Sequence, residues 1–187
     1  MMNHQILDAK KLMEYNFDKI IDRSGSDDLK HGALLPRWGR DDLLPLWVAD
    51  MDFETPAFVT DALKARLEHS LFGYTMEPKD FLPSIIDWVR DHHQWNLERE
   101  WIKFIPGIVK GIGLVVNVFT KPDEKVIIQP PVYHPFRLTP EGNGREVVFN
   151  PLKMREDGYY DMDFDNLAEV CDEKCKVLIL CNPHNPA

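Results

Sequence analysis

The chain has 187 residues, of which 44% are hydrophobic and 28% charged, with a formal net charge of −9. That length and composition suit one good-sized globular domain and exclude a mainly disordered chain. The acidic balance argues against nucleic-acid binding, and no apolar run reaches the ~20 residues that span a bilayer.

Residues 1–23 lack the apolar core of a signal peptide. Residues 1–54 read as an extended N-terminal arm: RSGSDD at 23–28 and PRWGRDD at 36–42 are turn-rich, and LWVA at 46–49 is a short apolar stretch. Thr55 reads as an N-cap with Pro56 in the first turn, and Val59, Ala62, Leu63 and Leu67 follow at helical spacing. Phe72, Gly73 and Tyr74 are expected to end that helix. A second helix is expected over 79–94, with Leu82, Ile85, Ile86, Val89 and His93 on one side and Pro83 tolerated in its first turn.

The texture then changes. WIKFI at 101–105 reads as a strand broken by Pro106-Gly107, and 108–119 as a helix. KVIIQ at 125–129 is a strand stopped by Pro130-Pro131, followed by a short helix over 133–142. REVVF at 145–149 and KVLILC at 176–181 are further strands, with a helix over 163–172 between them. Strands alternating with helices imply an α/β fold, a mainly parallel sheet with helices on both faces. Only three or four strands fit, and the polar turn after the last one should feed a helix. The sheet is therefore expected to be incomplete and the chain to be part of a longer protein.

Three segments could carry chemistry. Residues 106–111 (PGIVKG) join a glycine turn to a helix start, which either presents free N–H groups to a phosphate or is an ordinary βα turn. Tyr133, in PPVYHP after a strand, either lies against a flat ligand or packs in the core behind a rigid turn. In NPHNP at 182–186 two Asn-Pro pairs either aim an amide into the same crevice or serve only as a turn. Cys171 and Cys175 stand at C-x3-C without a second pair, and no H-E-x-x-H occurs, so no metal is expected. His92 and His93 are helix neighbours that do not share a face, and Asp50 and Asp52 read as a solvated turn. Three cysteines make no disulfide framework and favour a reducing, cytoplasmic setting.

Taken together, NFDKIIDR at 16–23, LWVADMDF at 46–53, FGY at 72–74, PGIVKG at 106–111, QPPVYHPF at 129–136 and LCNPHNPA at 180–187 stand in one order along nearly the whole chain. In that combination they resemble the fold-type I pyridoxal-phosphate enzymes, the aminotransferase class I/II superfamily. The resemblance is strongest to the cystathionine β-lyase-like C–S lyases within it. It implies a division into residues 1–54, the N-terminal arm and small-domain segment, and 55–187, the N-terminal part of the large cofactor-binding domain.

The resemblance assigns roles residue by residue. Backbone N–H groups of Gly107, Ile108 and Val109 would bind the phosphate of pyridoxal 5′-phosphate. Tyr133 would stack on its ring, and Asn185 would hydrogen-bond the ring 3′-oxygen. Tyr74 would reach the cofactor phosphate of a neighbouring subunit, which implies a homodimer. Val48, Ala49 and Asp50 would close over an amino-acid substrate. The family's Schiff-base lysine, its aspartate facing the pyridine nitrogen and its carboxylate-binding arginine all lie beyond the position of Ala187, and Lys110 does not match that lysine. No catalytic residue is therefore assigned within this chain, which on its own is expected to be inactive. The implied reaction is a C–S β-lyase acting on cystathionine- or cysteine-type amino acids to give pyruvate, ammonia and a thiol. Transamination is the alternative, and a non-catalytic regulatory or interaction scaffold a second one.

Overall fold

The computed structural model describes residues 15–187, so the first part of the N-terminal arm lies outside the described residues. The chain divides into two compact units, Met1–Met76 and Glu77–Ala187.

In the first unit the arm is not wholly irregular. It holds two short helices, α1 (Leu29–Gly32) and α2 (Leu34–Trp38), before α3 (Ala57–Glu68). Asp28 caps α1 by accepting the His31 N–H at 2.9 Å, and Gly39 at φ 69° ends α2. The expected Thr55 cap is displaced by one residue. Pro56, at φ −52° and ψ 141°, occupies the N-cap position. The helix also ends earlier than the FGY turn, at Glu68 with His69 extended. No residue of α3 is buried, and its apolar Phe58, Leu63 and Leu67 are exposed.

The second unit is the α/β part. It begins with α4 (Phe81–His93), whose Leu82 is buried and whose Ile85, Ile86 and Val89 are half-buried, the stripe the spacing predicts. His93 is exposed and leaves that stripe. Residues 101–105 do not form the expected strand. A 3-10 turn, Arg99–Trp101, precedes an extended segment that finds no strand partner among the described residues. Then follow α5 (Ile108–Phe119), β1 (Lys125–Ile128), α6 (Pro135–Gly142) and β2 (Glu146–Phe149). A hairpin, β3 (Lys153–Met154) and β4 (Tyr160–Asp161), leads to α7 (Phe164–Val170) and β5 (Cys175–Ile179).

The sheet has the order β2-β1-β5 and is parallel throughout. β1 is central and nearly fully buried, which suits its run of Val126, Ile127 and Ile128. Strand alternation splits its side chains between two faces. Val126 and Ile128 meet Val116 of α5 and Phe136 of α6 in the core. The other face carries buried Ile127 and, at the carboxyl end of the strand, a polar network. Buried Gln129 donates from Nε2 to Asn150 Oδ1 at 2.9 Å. Asn150 in turn donates from Nδ2 to Asp163 O and to Asn166 Oδ1 of α7, both at 2.9 Å. Helices therefore border the sheet on both sides, as the alternation implied.

At the amino end of the strand Lys125 Nζ lies 2.7 Å from Asp172 Oδ2. The ammonium lowers the Asp172 carboxyl from 3.8 to about 2. A carboxylate whose folded pKa is depressed contributes stability above its unfolded value, and that contribution is lost as pH falls through the folded value. Between pH 4 and 2 the Asp172→Asn variant should lose less stability than the parent, measured by denaturant titration. Equal acid sensitivity of the two would remove the pair from the account.

Candidate functional site

The direction of α5 decides where its free N–H groups lie. Arg145, just before β2, donates from Nε to Thr120 Oγ1 at 2.9 Å and from Nη2 to Thr120 O at 2.7 Å. Thr120 caps the C-terminus of α5. The helix thus ends beside the amino edge of the sheet. Its N-terminus points toward the carboxyl edge, where open α/β sheets place ligands.

The turn before that N-terminus is built to leave donors free. Ile105 O accepts the Gly107 N–H at 2.8 Å, and Gly107 takes φ 100° and ψ 141°. That backbone is close to glycine-only territory, although open space surrounds the position of a Cβ. The first helical bond runs from Gly111 N–H to Gly107 O at 3.1 Å. No side chain caps the helix, and among the described residues the N–H groups of Ile108, Val109 and Lys110 have no acceptor. Three converging donors at the positive end of a 12-residue helix suit a phosphate. Gly107 itself departs from the sequence expectation, because its N–H is already spent on Ile105. Its part is to set the turn, and the free donors start at Ile108.

At the same edge, the loops after β1 and β5 are stitched together. The Tyr133 N–H donates to Asn185 O at 2.8 Å, Val132 bridges Pro186, and His184 Nε2 donates to Pro131 O at 2.8 Å. Tyr133 and Asn185, 52 positions apart by number, are thereby neighbours. Tyr133 is 40% exposed, and its ring stands edge-on to core Phe136 at 6.5 Å between centroids. It is therefore partly free to meet a flat ligand. The Asn185 side-chain amide is exposed and has no partner among the described residues. Acceptor-free N–H groups, a partly exposed aromatic ring and an unpartnered amide are groups that fit the phosphate, the ring and the ring oxygen of pyridoxal phosphate.

The first unit holds the remaining candidates. Tyr74 is fully exposed in this chain. Val48 takes φ 63°, a left-handed backbone that costs a β-branched residue about 1–3 kcal/mol. The Asp50 N–H closes a tight turn onto Val48 O at 2.8 Å. Asp50 and Asp52 are more than a solvated turn. Arg23 reaches Asp50 Oδ2 at 2.5 Å and Asp52 Oδ1 at 3.0 Å. Buried Lys30 donates to Asp50 O and Asp52 Oδ2, both at 2.8 Å. The Lys30 ammonium, ahead of Arg23, holds the Asp52 carboxyl below its usual range. Sequence reasoning missed Arg23 and Lys30 in this role. Their partners lie some twenty to thirty residues away, and no local pattern announces them.

Among the described residues no three His, Cys, Asp or Glu side chains lie together as metal ligands, and no helix is long and apolar enough to cross a membrane. His92 stacks on Trp88 at 4.2 Å, while Cys171 and Cys175 are free thiols.

A parallel sheet with this loop cluster at its carboxyl edge is the arrangement of an open α/β ligand-binding fold. The family model for aminotransferase class I and II matches residues 41–187, and the chain belongs to that family. Among its relatives, cystathionine beta-lyase PatB of Bacillus subtilis is 42% identical over 173 residues, covering 92% of this chain and 44% of that protein. Protein MalY of Escherichia coli is 32% identical, with the same coverage of both. Cystalysin from Treponema denticola, whose crystal structure contains pyridoxal 5′-phosphate, superposes with a TM-score of 0.86 at 33% identity, over 93% of this chain and 45% of that one. The pyridoxal-phosphate-bound C–S lyase from Staphylococcus hominis gives 0.84 at 33% identity, over 94% and 44%. The chain spans less than half the length of these relatives.

Proposed function

We propose that the protein carrying this chain is a pyridoxal-phosphate-dependent C–S β-lyase. It acts on cystathionine- or cysteine-type amino acids and releases pyruvate, ammonia and a thiol. The observation that carries the cofactor assignment is that three acceptor-free N–H groups at the α5 N-terminus and the Tyr133–Asn185 pair stand at the same, carboxyl edge of the sheet. The lyase assignment is supported by the similarity to PatB and to the two C–S lyase structures.

Each residue then has a task. Gly107 sets the turn, and Ile108 and Val109 hold the phosphate by their N–H groups. Tyr133 lies on the ring, and the Asn185 amide hydrogen-bonds the ring oxygen. When bound, pyridoxal phosphate supplies an aldehyde and an electron-accepting ring that weaken bonds at the substrate's Cα and Cβ. Val48, Ala49 and Asp50 close over the amino acid, with Asp50 gripped by Arg23 and Lys30. Tyr74 extends to the site of a second subunit in a homodimer. The covalent lysine comes from outside this chain, so residues 1–187 alone are inactive. We place the protein in the cytoplasm, supported by its free thiols. The arm of residues 1–54 and the large-domain part, 55–187, belong to this same proposal.

A second reading, transamination, is favoured by the breadth of the family model and by an aspartate aminotransferase of Sulfolobus acidocaldarius, 24% identical over 141 residues. The two part at product. Incubated with cystathionine, the complete protein should release pyruvate and a free thiol without a 2-oxo acid acceptor. Product formation that requires such an acceptor, with no thiol released, would establish the transaminase.

A further inference from the structure

The Tyr133–Asn185 pair is itself held from below. Cys181, two residues past β5, is half-buried against the core cluster of Val116, Val126, Ile128 and Phe136. Its sulfur accepts the Asn185 N–H at 3.3 Å, and its thiol donates to Pro183 O at 3.5 Å. The Asn185 carbonyl, on the other side of the same residue, receives the Tyr133 N–H. One line of contacts thus runs from the packed core through the thiol to Asn185 and on to Tyr133. Among the described residues no other side chain bonds the Asn185 backbone.

We propose that Cys181 is a positioning residue for the cofactor. Its thiol, fixed by the core, sets the backbone of Asn185, and so orients both the amide on the ring oxygen and the aromatic ring of Tyr133. The inference rests on the cofactor assignment given above. A thiol suits this place because it is apolar enough to pack against Val and Ile, yet carries a weak donor and a weak acceptor. Alanine loses both bonds, whereas serine retains a donor and an acceptor on a similar frame.

The test uses the complete protein and two readouts, the dissociation constant for pyridoxal phosphate and the position of the bound cofactor's visible absorption band. Cys181→Ala should weaken binding about three- to tenfold, the scale of a lost neutral hydrogen bond. It should also move the band in the same direction as Asn185→Ala, by a smaller amount. Cys181→Ser should stay within about twofold of the parent and leave the band in place. Cys171→Ser, at an exposed thiol, should change neither readout. A merely structural role would lower unfolding temperature without moving the band, and that result overturns the proposal. If Asn185→Ala itself leaves both readouts unchanged, the cofactor assignment fails and the positioning role falls with it. If Asn185→Ala is impaired while Cys181→Ala matches the parent, only the role of the thiol fails.

Discussion

Asn150→Leu should destabilise the fold by about 1–3 kcal/mol, the cost of leaving a buried polar group without a partner. Asn150 is fully buried and serves three groups at once. Its orientation is forced. Asp163 O can only accept, so the Asn150 Nδ2 must face it, which turns Oδ1 toward Gln129. Gln129 must then present its own amide nitrogen, and its Oε1 is left as a buried acceptor without a partner among the described residues. Leucine at 150 strands the buried Gln129 Nε2 and takes the donor from Asn166 Oδ1, while the Asp163 carbonyl keeps the Leu167 N–H at 2.9 Å. Gln129→Leu removes the unpaired oxygen along with the nitrogen, so it should cost less than Asn150→Leu. Chemical denaturation of the complete protein measures both. A cost below 1 kcal/mol for Asn150→Leu would show that the Gln129–Asn150 network is not held as described.

Gly107→Val should weaken pyridoxal-phosphate binding by roughly ten- to a hundredfold, since each tenfold corresponds to about 1.4 kcal/mol. The cause is the backbone. At φ 100° and ψ 141° an L side chain carries a strain of about 1–3 kcal/mol, although nothing nearby would clash with a Cβ. The turn relieves that strain by rotating, and rotation breaks the Gly107–Ile105 bond and re-aims the N–H groups of Ile108 and Val109. Gly142→Ala, at a glycine with open space and no unusual φ, is the control and should bind normally. Equilibrium binding followed by cofactor absorbance gives the answer. Parent-like affinity for Gly107→Val would detach this turn from the phosphate.

Much of this was legible in the residues. α5 could be read to its ends because apolar spacing runs unbroken from Ile108 to Phe119 with a glycine turn before it. The three strands were legible from β-branched runs next to turn residues. Residues 101–105 misled because apolar content alone does not make a strand. Trp101 and Phe104 remain exposed and the backbone finds no ladder among the described residues. The β3–β4 hairpin was missed although its signal was present. Asp157-Gly158 is a strong turn pair, and Gly158 takes φ 86° there, but two-residue strands offer no periodicity. At the site, Tyr133 and Asn185 were legible as residues following strands. Their mutual hydrogen bond, the Cys181 sulfur beneath them and the Arg23–Lys30 grip on Asp50 were not. Each depends on chain segments that only folding brings together, and sequence spacing carries no trace of that.

The central claim is that the α5 N-terminus and the loops after β1 and β5 form one cofactor site. The most direct measurement is a crystal structure of the complete protein with pyridoxal phosphate. The account expects the phosphate within hydrogen-bond distance of the Ile108 and Val109 N–H groups, the Tyr133 ring against the cofactor ring and the Asn185 amide on its ring oxygen. Tyr74 from the second subunit should reach the same phosphate. A cofactor bound elsewhere, with the N–H groups of Ile108 and Val109 still without an acceptor, would contradict it.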